Sequence, residues 1–395
     1  MEIPSTRPYF SEEDIAAIAD EVRLILRSGR LIVGPYTEKL ETMFREYCGV
    51  KHAVAVGSCC AALDICMRYF DVAGKEVIVP TNTFIATGNA VIYGGGNLVL
   101  ADIKADTLCL DPAEISRRVT EKTKGVILVH VGGLPCPDTE EIRNICREKG
   151  LFLIEDVAHA HGATIDGNKA GSFGDAGCFS FYPTKVMTTC TGGMLTTNDS
   201  NLADFAFSLR HHGVGKGLTH IINLGYDWLM DEISALLGIY QLNALENNLT
   251  RRNEIAHKYD EGLVDVEGIA LFKVPSNIRH SYYKYPVFLS EAYDKRKLAE
   301  KMQRERGVSL GSIYDPPCHL QPVYRRLFGY CEGAFPVADA ILKRVSCLPV
   351  FFQMTDEQVD YVLESFRNIL PECLTDSMIP KEQYPDKISG DLTPV

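Results

Sequence analysis

Apolar positions first recur at helical spacing, and from His52 onward they gather into short runs separated by helical stretches. Ser11 followed by Glu12, Glu13 and Asp14 is an N-cap with acids in the first turn, which predicts a helix to about Ser28, ahead of Gly29. Gly34-Pro35 breaks the chain. Leu40, Phe44 and Tyr47 then fall on one helical face and predict a packing helix over about 36–47 that stops at Gly49.

Short β-rich runs follow at 53–56, 76–79, 98–101, 126–130 and 152–155, with helical stretches at 61–70, 84–93, 112–119 and 139–149 between them. Continuous apolar strands alternating with helices predict a mostly parallel sheet covered on both faces, a three-layer α/β/α domain. Ligands of such sheets sit beyond the carboxyl ends of the strands. Asp166-Gly167 between apolar residues predicts a hairpin-like return toward Phe179. Ile233, Leu236, Leu237, Tyr240 and Leu245 predict a helix over about 230–249, after which Arg251-Arg252 reads as a link to a second domain. Residues 1–250 are thus expected to form the large domain. Residues 251–370, with alternating strands such as 283–289 and a closing amphipathic helix from Asp356, form a smaller C-terminal α+β domain, and the polar, proline-bearing 371–395 reads as an arm or disordered tail.

Composition narrows the function. The chain has 395 residues, 46% hydrophobic and 23% charged, which is ordinary for a globular protein. A net charge of -12 argues against general affinity for nucleic acid or an anionic membrane, so any phosphate-bearing ligand must be met locally. Met1 to Pro8 lacks the basic and apolar regions of a signal peptide, and no apolar run approaches the ~20 residues that span a bilayer; a cytoplasmic location is expected. The thirteen cysteines include no C-x-x-C pair, and Cys59-Cys60 are neighbours, so neither a disulfide framework nor a structural zinc site is expected.

The candidate chemistry centres on Phe179 to Gly193, where an apolar run leads through Pro183 to Lys185 in a constrained loop. Phe179, Phe181 and Tyr182 supply apolar walls of the kind an amine needs to act as a nucleophile, and Ser180 offers a hydroxyl. Ser58-Cys59-Cys60 opens a helix directly after a strand, an arrangement whose free N–H groups attract anions. Asp156, at the end of an apolar strand, is costly to bury without a positive partner. A metal reading of Asp156, His159 and His161 finds no further ligand-type cluster nearby, so no metal site is assigned; His161 reads as structural and His130 is left unassigned.

Phe-Ser-Phe-Tyr-Pro-Thr-Lys followed by Gly-Gly-Met resembles the cofactor-lysine segment of the DegT/StrS family, the sugar aminotransferases among fold-type I pyridoxal 5'-phosphate (PLP) enzymes. The similarity runs from about Leu31 to about Phe366. The resemblance implies that Lys185 carries PLP, that Asp156 faces the pyridine nitrogen and His159 the ring phenolate, and that Phe84 lies on the ring face. It further implies that Ser58, Cys59, Cys60 and Ser180 hold the cofactor phosphate, with Asp227 in the place of an asparagine that reaches the partner subunit's cofactor. Cys60 stands where the family has threonine, and an aspartate at 227 repels a phosphate where an amide would donate. Arg210, Lys216 and His319 are the positions it offers for the substrate. The expected protein is a homodimer with shared active sites, moving an amino group from an amino acid such as L-glutamate to a keto-sugar nucleotide. A PLP-dependent sugar dehydratase, which usually has histidine at the lysine position, and a non-catalytic binding or regulatory homologue, suggested by Cys60 and Asp227, are the rivals. An NAD enzyme lacks its G-x-G-x-x-G loop after the first strand.

Overall fold

The structure, a computed structural model, describes residues 1–375 apart from Lys216 and Leu218. The Ser11 side chain accepts from Asp14 N at 3.0 Å, starting α1 (Glu12–Ser28), which ends on Gly29 at a φ of 68°. Helix α2 (Pro35–Cys48) lacks a local cap, and Glu232, nearly two hundred residues away, supplies one by accepting from the backbone N–H groups of Gly34, Tyr36 and Thr37 at 3.0, 2.9 and 3.0 Å.

From there β1 (His52–Val56), α3 (Cys59–Tyr69), β2 (Glu76–Pro80), α4 (Ile85–Tyr93) and β3 (Asn97–Ala101) alternate. They are followed by α5 (Pro112–Arg118), β4 (Thr123–Val129), α6 (Thr139–Lys149) and β5 (Phe152–Asp156). Helix α4 begins only after Phe84 and has no side-chain cap; Thr83 Oγ1 bonds Thr87 Oγ1 at 2.7 Å. Strands β6 (Thr164–Ile165) and β7 (Asn168–Lys169) turn at Asp166-Gly167, both at positive φ, and lead to β8 (Ala176–Ser180) and β9 (Gly193–Thr197), which bracket Lys185.

Seven strands form one sheet in the order β1-β9-β8-β5-β4-β2-β3, with β9 antiparallel to both neighbours and the other pairs parallel. Alternation along each strand feeds two cores. Val77, Val79, Ile127 and Val129 pack toward α3 and α4, while Ile78, Val126 and Leu128 pack toward α5 and α6. This is the layered α/β architecture expected.

Next come α7 (Ser200–Arg210), α8 (Glu232–Leu263), β10 (Ile269–Leu271), β11 (Ile278–Arg279) and β12 (Tyr285–Leu289). The chain continues with α9 (Lys295–Arg306), α10 (Pro322–Phe328), α11 (Pro336–Ile341), β13 (Val345–Leu348) and α12 (Asp356–Ile369). The link expected at Arg251-Arg252 is instead the middle of α8. No glycine or proline interrupts it there, and Arg252 is buried, donating to Asn248 Oδ1 at 2.8 Å and to the carbonyls of Tyr282 and Val350 at 2.9 Å each. The first half of α8 packs on α2 through Leu242 and Leu245, and its second half enters a separate core with β12, α9 and α12 through Ile255, Tyr259 and Leu263. Ile3 joins that second core. The beginning of the expected tail is also packed, since Cys373 is buried and Thr375 N donates to Ala292 O at 2.8 Å; residues 376–395 lie outside the described residues. No helix among the described residues is long and apolar enough to cross a membrane.

Candidate active site

The sheet register assembles one side of the site. Val56, Gly193 and Ser180 share a row across β1, β9 and β8, so Ser180 and the β1–α3 turn emerge at the same sheet end. Ser58 caps α3, accepting from Ala61 N at 3.1 Å, and leaves the first-turn N–H groups of the helix without intrahelical partners. A Cβ on Gly193 would lie 2.4 Å from the carbonyl carbon of Ser58, so only glycine lets β9 pass this turn. Cys59 is buried and Cys60 exposed beside it. Burial pushes the Cys59 thiol up, with Asp156 adding to the effect and Lys185 opposing it, which puts all three within electrostatic reach.

Asp156 ends β5 and is 5% exposed. Its carboxylate accepts from Thr87 Oγ1 at 2.7 Å and from Ala158 N at 3.1 Å. Neither donor carries a charge. Burial therefore raises its pKa above the ordinary aspartate range, against the pull of those two bonds and the positive field of Lys185. His130 itself is a satisfied core residue, bonded to Glu155 at 2.8 Å and accepting from Cys136 N at 3.0 Å.

Lys185 sits in the loop between β8 and β9, its N–H donating to Tyr182 O at 2.9 Å and its Nζ 4.8 Å from the centroid of the Tyr283 ring. The Tyr283 hydroxyl meets Thr184 Oγ1 at 3.2 Å, and its ring stacks on His159 at 4.3 Å. Burial pushes the Tyr283 phenol up, but Lys185, Lys284 and the Thr184 bond more than offset that and leave it below its ordinary value. His159 accepts from Gly132 N at 3.2 Å through Nδ1, and its Nε2 lies 3.0 Å from Tyr314 Oη. Phe84, 59% exposed, stands 6.4 Å from the Tyr314 ring.

The structure thus gathers Asp156, His159, Lys185, Phe84, Ser58, Cys59, Cys60 and Ser180 at the carboxyl ends of the strands. The substrate positions fare differently. Arg210 is 3% exposed and pairs with Glu41 of α2, while also donating to Ala55 O at 2.5 Å; it ties α7 to α2 and β1. His319 is fully buried, with Nδ1 2.8 Å from Thr81 Oγ1 and Nε2 2.9 Å from Asp339 Oδ1, which makes it a link between the β2–α4 turn and α11. Lys216 lies outside the described residues. Asp227 is exposed, on a segment whose Trp228 carbonyl accepts from Gly57 N at 2.7 Å. Sequence reasoning missed Tyr283, Tyr314 and Thr87. The Tyr282-Tyr283 pair ahead of an alternating strand is the one local signal that could have drawn attention to the first.

Comparison with known proteins adds an independent line. Residues 12–367 match the family described as DegT/DnrJ/EryC1/StrS aminotransferases. GDP-perosamine synthase of Vibrio cholerae is 31% identical over 338 residues, 85% of this chain and 91% of that protein. Among solved structures, Helicobacter pylori PseC, an aminotransferase of pseudoaminic acid biosynthesis, superposes with a TM-score of 0.88 at 26% identity, covering 94% of this chain and all of that one. The PLP form of Streptococcus pneumoniae Spr1654 gives 0.88 at 28% identity, over 95% of this chain and all of its own.

Proposed function

The chain belongs to the DegT/DnrJ/EryC1/StrS aminotransferase family, and on that premise we propose that it moves an amino group from an amino acid, L-glutamate, to a keto-sugar carried on a nucleotide, with PLP held at Lys185. The observation that carries this reading is the Asp156 carboxylate, buried at a strand end with two neutral donors and, among the described residues, no cation in contact. A protonated pyridine nitrogen is the partner it lacks.

The rest of the site fits the same group. The free N–H groups at the start of α3, with Ser58 and Ser180 at the same sheet end, form an anion cradle, and a Cβ on Gly193 would press on its Ser58–Cys59 backbone. PLP, when bound, supplies a ring that accepts the electrons left at the substrate carbon. Asp156 would keep that ring's nitrogen charged, Phe84 would cover one face, and the Lys185 amine would take up and return the proton at the substrate carbon. The presence of lysine at 185 speaks against the dehydratase reading.

A homodimer belongs to this proposal. Ile221, Ile222 and Leu224 are 64%, 64% and 93% exposed in the single chain, on the segment that carries Asp227, and a second copy would cover them. The function is tested by loading the purified protein with PLP, adding glutamate, and assaying a panel of keto-sugar nucleotides by product mass. An aminated sugar supports the proposal. A protein that stays colourless with PLP supports the binding-module rival.

A further inference from the structure

Lys284, the residue before β12, is half-buried, and among the described residues its ammonium has neither an ion pair nor a hydrogen bond, only the face of a ring. By contrast Lys104, Lys169, Lys295 and Lys301, also half-buried, pair with Asp138, Glu246, Asp315 and Glu372.

The position of Lys284 is fixed from both ends. Its N–H donates to Gly132 O at 2.9 Å, and the N–H of the same glycine donates to His159 Nδ1 at 3.2 Å. At the far end, Nζ lies 5.2 Å from the centroid of the Tyr283 ring, and a Cβ on Gly311 would come within 3.2 Å of it, so the ammonium rests against bare backbone on one side. Tyr283 is also the ring that has Lys185 Nζ at 4.8 Å and His159 stacked at 4.3 Å. One ring thus borders two ammonium groups, and the cofactor reading uses only Lys185.

A cation drawn partly out of water needs an anion to offset the loss of hydration. Resting on the reading above, we propose that Lys284 binds the carboxylate that the amino donor carries on its reacting carbon. Lys185 moves the proton of that carbon and the carboxylate is one bond from it, which suits a second cation bordering the same ring. The diphosphate of a nucleotide sugar lies beyond the anomeric carbon, further from the proton that is moved. By donating to the carboxylate, the Lys284 ammonium holds the reacting carbon in place relative to Lys185.

The test is equilibrium binding to the PLP-loaded protein, read from the visible band and free of turnover. 2-Methylglutamate has no hydrogen on the reacting carbon, and 2-aminoisobutyrate shares its α-carboxylate but lacks the side-chain one. Lys284→Met keeps a stem of similar length and removes the charge, and the dissociation constants of both compounds are expected to rise about 10- to 100-fold, by similar factors. Lys284→Arg restores the charge and binds both more tightly than the methionine variant. UDP and GDP, which offer a diphosphate, bind the wild type and Lys284→Met within about twofold of each other. In the wild type itself, the α-amide of 2-methylglutamate binds more weakly than the acid, a measurement that needs no variant to fold. Unchanged affinity for 2-methylglutamate in Lys284→Met, a loss confined to that compound or to the nucleotides, or an α-amide that binds as well as the acid overturns the inference and leaves the cofactor reading intact. A wild-type protein that takes up no PLP overturns both.

Discussion

The Nζ of Lys185 lies 4.8 Å from the centroid of the Tyr283 ring, and that ring stacks in turn on His159 at 4.3 Å. The candidate nucleophile of the large sheet therefore rests on a side chain delivered from beyond the far end of α8, and the ring joins it to the imidazole that bonds Tyr314. Tyr283→Leu removes the surface under the amine. Single-turnover bleaching by glutamate should slow about 3- to 30-fold, the equivalent of one cation–π contact. Tyr283→Phe, which keeps the ring and loses only the Thr184 contact, should stay within about threefold.

Asp156→Asn separates cofactor binding from folding. Because burial raises the Asp156 pKa in the folded protein, the folded state binds the proton more tightly than the unfolded one. Stability of the cofactor-free protein therefore falls as pH rises from the unfolded value through the folded one, and the penalty is complete above it. The asparagine variant without PLP should melt higher than the wild type at neutral pH, and the gap should close toward pH 4. With PLP added the order reverses, since the variant lacks the charge that holds the pyridine nitrogen protonated.

Arg210 and His319 are expected to act on stability and not on substrate. Arg210→Ala strips a buried partner from Glu41 and from the Ala55 carbonyl and should cost about 3–5 kcal/mol in denaturant unfolding. His319→Ala removes the imidazole that bridges Thr81 Oγ1 and Asp339 Oδ1 and should cost about 1–3 kcal/mol. KM for the nucleotide sugar should change by less than about twofold in either folded variant.

Acid sensitivity has an identifiable source. His161 and His280 are buried, and desolvation lowers each pKa to about 3. The unfolded chain takes up protons at about pH 6.5 that the folded chain refuses, so stability present above that pH is lost as pH falls toward 3. Each histidine contributes a slope of up to about 1.4 kcal/mol per pH unit. Among the described residues His161 has no side-chain partner at either ring nitrogen, so His161→Phe should flatten the acid limb of the stability curve by one proton's worth.

Local pattern told where the strand ends are and which residues occupy them. Asp156 follows an apolar run, Ser58 caps a helix, and Lys185 follows a proline, so their positions were readable from neighbours in sequence. The burial of Arg210 and His319 was not readable for the opposite reason: Glu41 and Thr81, which bond them, lie 169 and 238 residues away, and a basic residue gives no sign in sequence of so distant a partner. Tyr314 is 155 residues from His159 and carried no periodic signal. Helix α8 was cut short because two arginines read as a solvated link, whereas Arg252 is capped internally by carbonyls from both sides of the second core.

The central claim is a covalent attachment of PLP to Lys185, tested by loading the protein with PLP, reducing with borohydride, digesting, and sequencing the labelled peptide by mass spectrometry. The account predicts a single pyridoxyl group on Lys185, absent from Lys185→Arg. A label spread over surface lysines, or an unmodified Lys185 in protein that has taken up the cofactor, would contradict it.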